Sequence, residues 1–418
     1  MRCWQKSKKF VKPIFLRNAC KALKGLWGVC LLAIALWATE AKADRTDDLI
    51  RALASPQVSQ RVDAAQSLAV LKDPRTIPAL LKAMGDPVAS VRANALRGLA
   101  NILKPKDVPI LIPYLKDKDV YRRAGAAELL GILGDRRALP ALESAMDDAS
   151  TLVRVEVVTA LGEIGDPAAA KVLWRRLTDV SPRVRLETAV ALGRLRDPTS
   201  ADKLLSLLQD SNENVRIAAA VSIAQIGNRS VVPALLRRMQ MTTTDSDLKY
   251  YAAYALGRLG DRRAEATLIN ALKDGKNRYL RAQAAAALGG LGQKSAVPAL
   301  ILGLHDRFVL VRFASAQALG RLRDRLAVPA LIRSLHDSNE DVREQSAKAL
   351  GLIGDRTAVP ALIYAAFHDT DDAIPKAAAL ALGRIKDRRA LPALKKLSRN
   401  SDPTVREAAK WALTQFGR

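Results

Sequence analysis

The sequence predicts an all-α solenoid, a right-handed α–α superhelix of about twelve helical hairpins. Three observations carry this. A unit of nearly constant length recurs from Asp44 onward, beginning near Asp44, Arg75, Lys106, Arg136, Pro167, Pro198, Arg229, Arg262, Lys294, Arg325, Arg356 and Arg388, with almost every step 30 to 32 residues. Each unit carries two short apolar stretches of helical period, separated by polar turns. The apolar content is supplied by alanine and leucine, with aromatics at only 4% of the chain, which suits closely packed helices rather than sheets.

The unit Arg325–Asp355 states the pattern plainly. Its first helix carries Val328, Ala330, Leu331, Ile332 and Leu335, and its turn is His336-Asp337-Ser338-Asn339-Glu340. Its second helix runs from about Asp341 to Ile353 and ends at Gly354-Asp355. A proline recurs early in the first helix, at Pro78, Pro109, Pro140, Pro233, Pro298, Pro329, Pro360 and Pro392. That position tolerates proline because a first-turn amide has no helical partner. A glycine recurs in the second helix, at Gly131, Gly162, Gly193, Gly257, Gly289, Gly320, Gly351 and Gly383. Glycine inside a helix costs about 1 kcal/mol relative to alanine, so its recurrence predicts a close approach of two helix backbones.

An aspartate in the turn precedes an arginine in the second helix by six residues in seven units. The pairs are Asp86–Arg92, Asp117–Arg123, Asp148–Arg154, Asp179–Arg185, Asp210–Arg216, Asp306–Arg312 and Asp337–Arg343. The seventh unit, Arg229–Asp261, departs from this rule. It is longer, carries MQMTTTDSD in its turn and has Lys249 at the arginine position. The eleventh has Pro375 there, where the pairing is expected to break.

On these residues the chain resembles the HEAT repeats, in the short variety associated with phycobilisome lyases, over Asp44–Arg418. The resemblance implies an armadillo-type solenoid in which the Asp–Arg pairs form a ladder tying neighbouring repeats together by charge-assisted hydrogen bonds. It says little about activity, because such folds serve many tasks.

The first 43 residues have the pattern of a secretory signal. Nine basic residues stand against Glu40, an apolar run of 13 residues spans Leu26–Ala38, and Ala41-Lys42-Ala43 offers a cleavage site. The run is shorter than the roughly 20 residues that span a bilayer. All three cysteines, Cys3, Cys20 and Cys30, lie in this leader. The remaining chain, Asp44–Arg418, would need no disulfide in an oxidising compartment. Its net charge would fall from +25 to +17. The expectation is an exported protein, periplasmic or secreted, of a bacterial cell envelope, with no transmembrane span after cleavage near Ala43.

Catalytic residues are scarce. Nucleophilic cysteine chemistry is excluded outside the leader. His305, His336 and His368 occupy the same turn of three successive repeats, too far apart to share one metal ion. The His-Glu pairs of the HEAT-repeat deoxyhypusine hydroxylases are absent. No catalytic residue, metal or cofactor is therefore assigned, and no nucleic-acid partner is expected. The basic turn residues Arg136, Arg137, Arg262, Arg263, Arg325, Arg356, Arg388 and Arg389 would line one edge of the solenoid, an alternative surface for anionic envelope lipids or polymers. A lyase-like enzyme or enzyme subunit is the other alternative.

A binding site is sought where repeats depart from the rule. With the valine before the ladder arginine as position zero, positions two, three, six and ten of each second helix are expected to face out on the concave side. These positions turn apolar and aromatic near the seventh repeat, with Leu186, Val190, Ile217, Val221, Tyr250, Tyr251, Tyr254 and Phe313. Arginines border them, including Arg258 and Arg321. Tyrosine and arginine are favoured interface anchors. The sequence thus predicts a non-catalytic scaffold that binds a protein partner through Tyr250, Tyr251, Tyr254, Arg258, Phe313 and Arg321.

Overall fold

The computed structural model describes residues 45–240, 246–273 and 277–417. The leader with its cysteines and cleavage site lies outside these residues, as does the seventh repeat's turn at 241–245. The chain is an all-α solenoid of helical hairpins, and no strand occurs among the described residues. It divides into two compact units, Met1–Glu156 and Val157–Arg418. No helix of the described residues is long and apolar enough to cross a membrane.

The tenth repeat shows how sequence makes the hairpin. Asp324 accepts a hydrogen bond from the Leu326 amide and opens a short 3-10 turn, Arg325–Ala327. The first helix, Val328–Ser334, follows directly, with Pro329 in its first turn. Asn339 then caps the second helix, Glu340–Ile353, by accepting from the Val342 amide. Val342, Ala347, Ala349 and Leu350 are buried on its core side. Gly354 ends it in the left-handed conformation, at φ 77°. The same terminus is built from non-glycine residues at Lys72, Arg196, Arg323 and Lys386, with φ between 51° and 57°. An L side chain pays about 1 kcal/mol or more for that conformation.

Within the second unit, the recurrent glycines meet the next repeat's second helix. A Cβ placed on Gly351 would lie 2.7 Å from the Ala381 Cα, and one on Gly257 would lie 2.6 Å from the Ala287 Cα. The partner is always small: Ala191, Ser222, Ala287, Ala318, Ala349, Ala381 or Ala412. In the first unit the roles are exchanged, with Gly98 facing the Ala69 backbone. The expected close backbone approach is therefore a glycine-against-alanine joint.

The ladder is wired differently from the pairs read off the sequence. Within a repeat, the arginine donates to the main-chain carbonyl of the aspartate six residues earlier, as Arg123 does to Asp117 (2.9 Å), Arg185 to Asp179 (2.8 Å) and Arg312 to Asp306 (3.0 Å). Its carboxylate partner belongs to the next repeat. In the first unit, Arg61 reaches Asp86 and Arg123 reaches Asp148. In the second unit, Arg185 reaches Asp210, Arg281 reaches Asp306, Arg312 reaches Asp337 and Arg343 reaches Asp369. Each carboxylate also accepts the amide two residues on, as Asp337 does from Asn339, so it cannot turn back to its own repeat's arginine. Arg92, Arg154 and Arg216 likewise donate to the carbonyls of Asp86, Asp148 and Asp210, and Arg343 to that of Asp337. Arg92 lies over the Tyr121 ring at 3.7 Å, and Asp179 also contacts Arg176. Pro375 removes the arginine from the eleventh repeat, yet the backbones stay close there, with the Gly383 Cβ position 2.7 Å from the Ala412 Cα.

Three of the eight arginines of the expected basic edge form a second set of ties. Arg137, Arg263 and Arg389 fold onto Asp135, Asp261 and Asp387. Each then donates to the previous repeat's backbone, at Pro105, Arg229 and Arg356. These arginine hydrogen bonds hold the three carboxyls down to about 2. In the ladder, burial pushes Asp148, Asp337 and Asp369 up. The arginine and amide donors more than offset it and leave all three below their usual value.

Two outcomes follow. Arg323→Gly, which relieves the left-handed terminus, is expected to stabilise the chain by about 1 kcal/mol in urea denaturation, with Gly257→Ala shifting the midpoint the other way. Because the folded carboxyls titrate below their unfolded values, their stabilisation is fully present above about pH 4 and is lost as pH falls toward about 2. Helical circular dichroism should accordingly stay flat from about pH 8 to 5 and fall between about 4 and 2.

Candidate binding cleft at the seventh repeat

The outward face of the second helices is narrower than the sequence pattern suggests. Positions two, six and ten are open or partly open at Tyr250, Tyr254 and Arg258. Position three is closed in this stretch, at Ala218 and Tyr251, and also at Gly125, Ala314, Gln345, Ala377 and Ala408, whereas Asp63 is exposed and Asn94, Glu156, Glu187 and Gln283 are partly open. At about 100° per residue it stands only about 40° from position seven, the small residue of the glycine joint. Tyr251 is accordingly a packing residue, 6% exposed, and its assignment to the outward surface is corrected. It sits edge-on to Tyr250 at 5.1 Å and beneath the Arg216 guanidinium at 5.6 Å.

A cleft of about 700 Å³ opens beside it, between the second helices of the sixth and seventh repeats, Glu213–Ile226 and Ser246–Leu259, and the start of the eighth, Arg278–Leu291. Ile217 and Val221 form one wall and Tyr250 and Tyr254 the other, with Tyr251 behind them. Glu213, Asp247 and Tyr279 stand around these walls, with Asn277, whose side chain caps the eighth repeat's second helix. Tyr279 is 52% exposed and Ile217 42%. Burial pushes the Tyr250 phenol up, with a smaller contribution from Tyr254. Burial also raises Tyr251, the Glu213 carboxylate adding to it and Arg216 opposing it.

The cleft coincides with an irregular ladder joint. Arg216 has no turn aspartate in regular register ahead of it, and its Nη2 donates instead to Asp247, on the seventh repeat's second helix, at 2.8 Å. The Arg185–Asp210 joint uses both Nε and Nη2, whereas the buried Arg216 Nε has no partner. Displacing the acceptor onto the helix leaves the carboxylate 56% exposed at the cleft.

The structure therefore gathers Tyr250, Tyr251 and Tyr254 in one place and leaves Arg258, Phe313 and Arg321 outside the cleft lining. Phe313 is half-buried, and Arg258 and Arg321 are exposed on other stretches of the second-helix face. Glu213, Asp247, Asn277 and Tyr279 were missed because all four precede position zero, at the helix starts rather than along the scanned face. His305, His336 and His368 are exposed. Tyr364 stands between the last two, stacked on His368 at 4.2 Å and 5.9 Å from His336. No group of three metal-ligating side chains occurs among the described residues. Trp411 is 41% exposed, with its ring edge against Gly383.

These features define a repeat protein of stacked helical hairpins. The profile of the HEAT repeats matches residues 46–131, 108–189, 175–246, 240–307, 265–347, 297–366 and 328–414, and the chain belongs to the HEAT-repeat family. The match is to HEAT repeats at large and does not reach the narrower lyase-type class. No curated protein sequence matches the chain. Among solved structures it is similar to importin beta, at 15% identity and a TM-score of 0.62, over 89% of this chain and 61% of that one. Kap121p gives 16% identity and a TM-score of 0.60, over 91% of this chain and 50% of Kap121p. Yeast importin beta (Kap95p) gives 12% and 0.55, over 88% and 68%. The likeness is one of fold, and the chain spans less than two thirds of the first of these relatives.

Packing and surface tyrosines should separate by stability. Tyr251→Ala removes a buried ring and is expected to cost about 3 kcal/mol, whereas Tyr279→Ala should change stability by less than about 0.5 kcal/mol. Chemical denaturation of the two variants measures the difference.

Proposed function

We propose that this protein is a non-catalytic interaction scaffold, exported to the bacterial cell envelope, that holds a polypeptide partner in the cleft at the seventh repeat. The observation that carries the reading is the cleft itself, about 700 Å³ and walled by Tyr250, Tyr254, Ile217 and Val221. That volume is in the range of specific binding pockets, and tyrosine offers a large, rigid contact surface with a polar tip. Stacked repeats supply a surface on which one irregular unit can specialise while its neighbours keep the fold. Export rests on the leader, with its basic start, apolar run and Ala41-Lys42-Ala43.

A photo-crosslinking amino acid placed at Tyr254 in a Gram-negative host tests the binding face. A discrete crosslinked species is expected there and not from Lys376, which is exposed at position two of the eleventh repeat's second helix. Crosslinking that is equal at both positions rejects the face. Fractionation and N-terminal sequencing check the location, with a mature chain starting at Asp44 as the expected result.

A further inference from the structure

We infer that the occupant of this cleft is a lysine or arginine side chain presented by a short extended segment of the partner. The inference rests on the binding role proposed for the cleft and specifies its chemistry. The chain as a whole carries a formal charge of +25, yet among the described residues the ionisable groups lining the cleft apart from tyrosine are two carboxylates, Glu213 and Asp247. Asp247 pairs with Arg216 on one side, and its side chain is 56% exposed. Glu213, in the first turn of its helix, is exposed.

The aromatic walls suit the same ligand. A cation over a tyrosine face is attracted by the ring quadrupole, and more strongly where water is displaced. This protein already uses that contact, with the Arg92 guanidinium 3.7 Å from the Tyr121 ring centroid and Arg278 4.8 Å from that of Tyr279. Arg278 also donates to the Tyr279 hydroxyl, which leaves Tyr250 and Tyr254 as the faces for an incoming cation. Ile217 and Val221 would cover the aliphatic stem, as apolar surfaces do for long basic side chains. Phosphate and carboxylate ligands would meet like charge at Glu213 and Asp247.

Fluorescein-labelled heptapeptides of alanine, serine and glycine, differing only at a central lysine, arginine, norleucine or glutamate, test this by anisotropy up to millimolar concentrations. The lysine and arginine peptides are expected to bind roughly tenfold more tightly than the norleucine peptide, with the glutamate peptide weakest. Glu213→Gln should remove most of that preference without unfolding the protein, and so should raising the salt from about 0.05 to 0.5 M. Tyr254→Leu keeps the apolar volume and should also lower the preference. Equal binding of lysine and norleucine peptides, or no binding of any peptide, overturns the inference. A crosslink at position 254 would in either case still uphold the binding role, so the two readings fail separately. Free choline that binds more tightly than the lysine peptide also overturns it, in favour of a small cationic ligand.

Discussion

The guanidinium at position one of the regular second helices is the contact on which the regular joints depend. It spans two repeats, donating backwards to a carbonyl of its own turn and forwards to the carboxylate of the next. Each end is nearly out of water, with the Arg312 and Asp337 side chains 12% and 10% exposed. A charge so placed is costly unless every donor is matched, and the bidentate geometry matches them. The glycine joints act beside it. Removing a side chain at position nine brings two helix backbones together, and the small residue at position seven of the next repeat completes the fit. One contact sets the orientation of neighbouring helices and the other sets their distance.

That division of labour explains why the cleft lies where it does. The seventh repeat's sequence has no aspartate at the regular turn position, and Arg216 takes Asp247 from a helix instead. The glycine joint at Gly257 holds the seventh and eighth repeats together at that place. The fold thus tolerates a polar irregularity because the packing contact is independent of it. Three tyrosines occupy the helix that follows, one as core and two as wall.

Much of this was legible in the sequence, and the limits have physical causes. The hairpins, the first-turn prolines and the close approach at the glycines follow from local preferences that recur in every unit. The ladder residues were recognisable as a set, but their partners were not. Spacing within a repeat reveals an aspartate and an arginine six apart without revealing that the carboxylate turns to the preceding repeat. Arg61 and Arg281 escaped the pattern because Ser55 replaces one turn aspartate and an extra residue displaces another. Tyr251 was placed one position too far round, since the side against the neighbouring second helix is invisible until repeats are stacked. Glu213, Asp247 and Tyr279 lie in helix starts, where outward-facing residues follow the approach of the turn rather than helical period.

Pro375 has a consequence of another kind. Most joints in the second unit combine an ionic tie, which weakens when carboxyls protonate, with a packing contact that does not. Between the eleventh and twelfth repeats the position-one arginine is gone and the Gly383–Ala412 contact remains. The bending stiffness of that joint therefore rests on close packing, with the Arg389 tie and Lys396 over the Phe367 ring beside it. Its elasticity depends less on acidity than that of a joint held by a ladder pair.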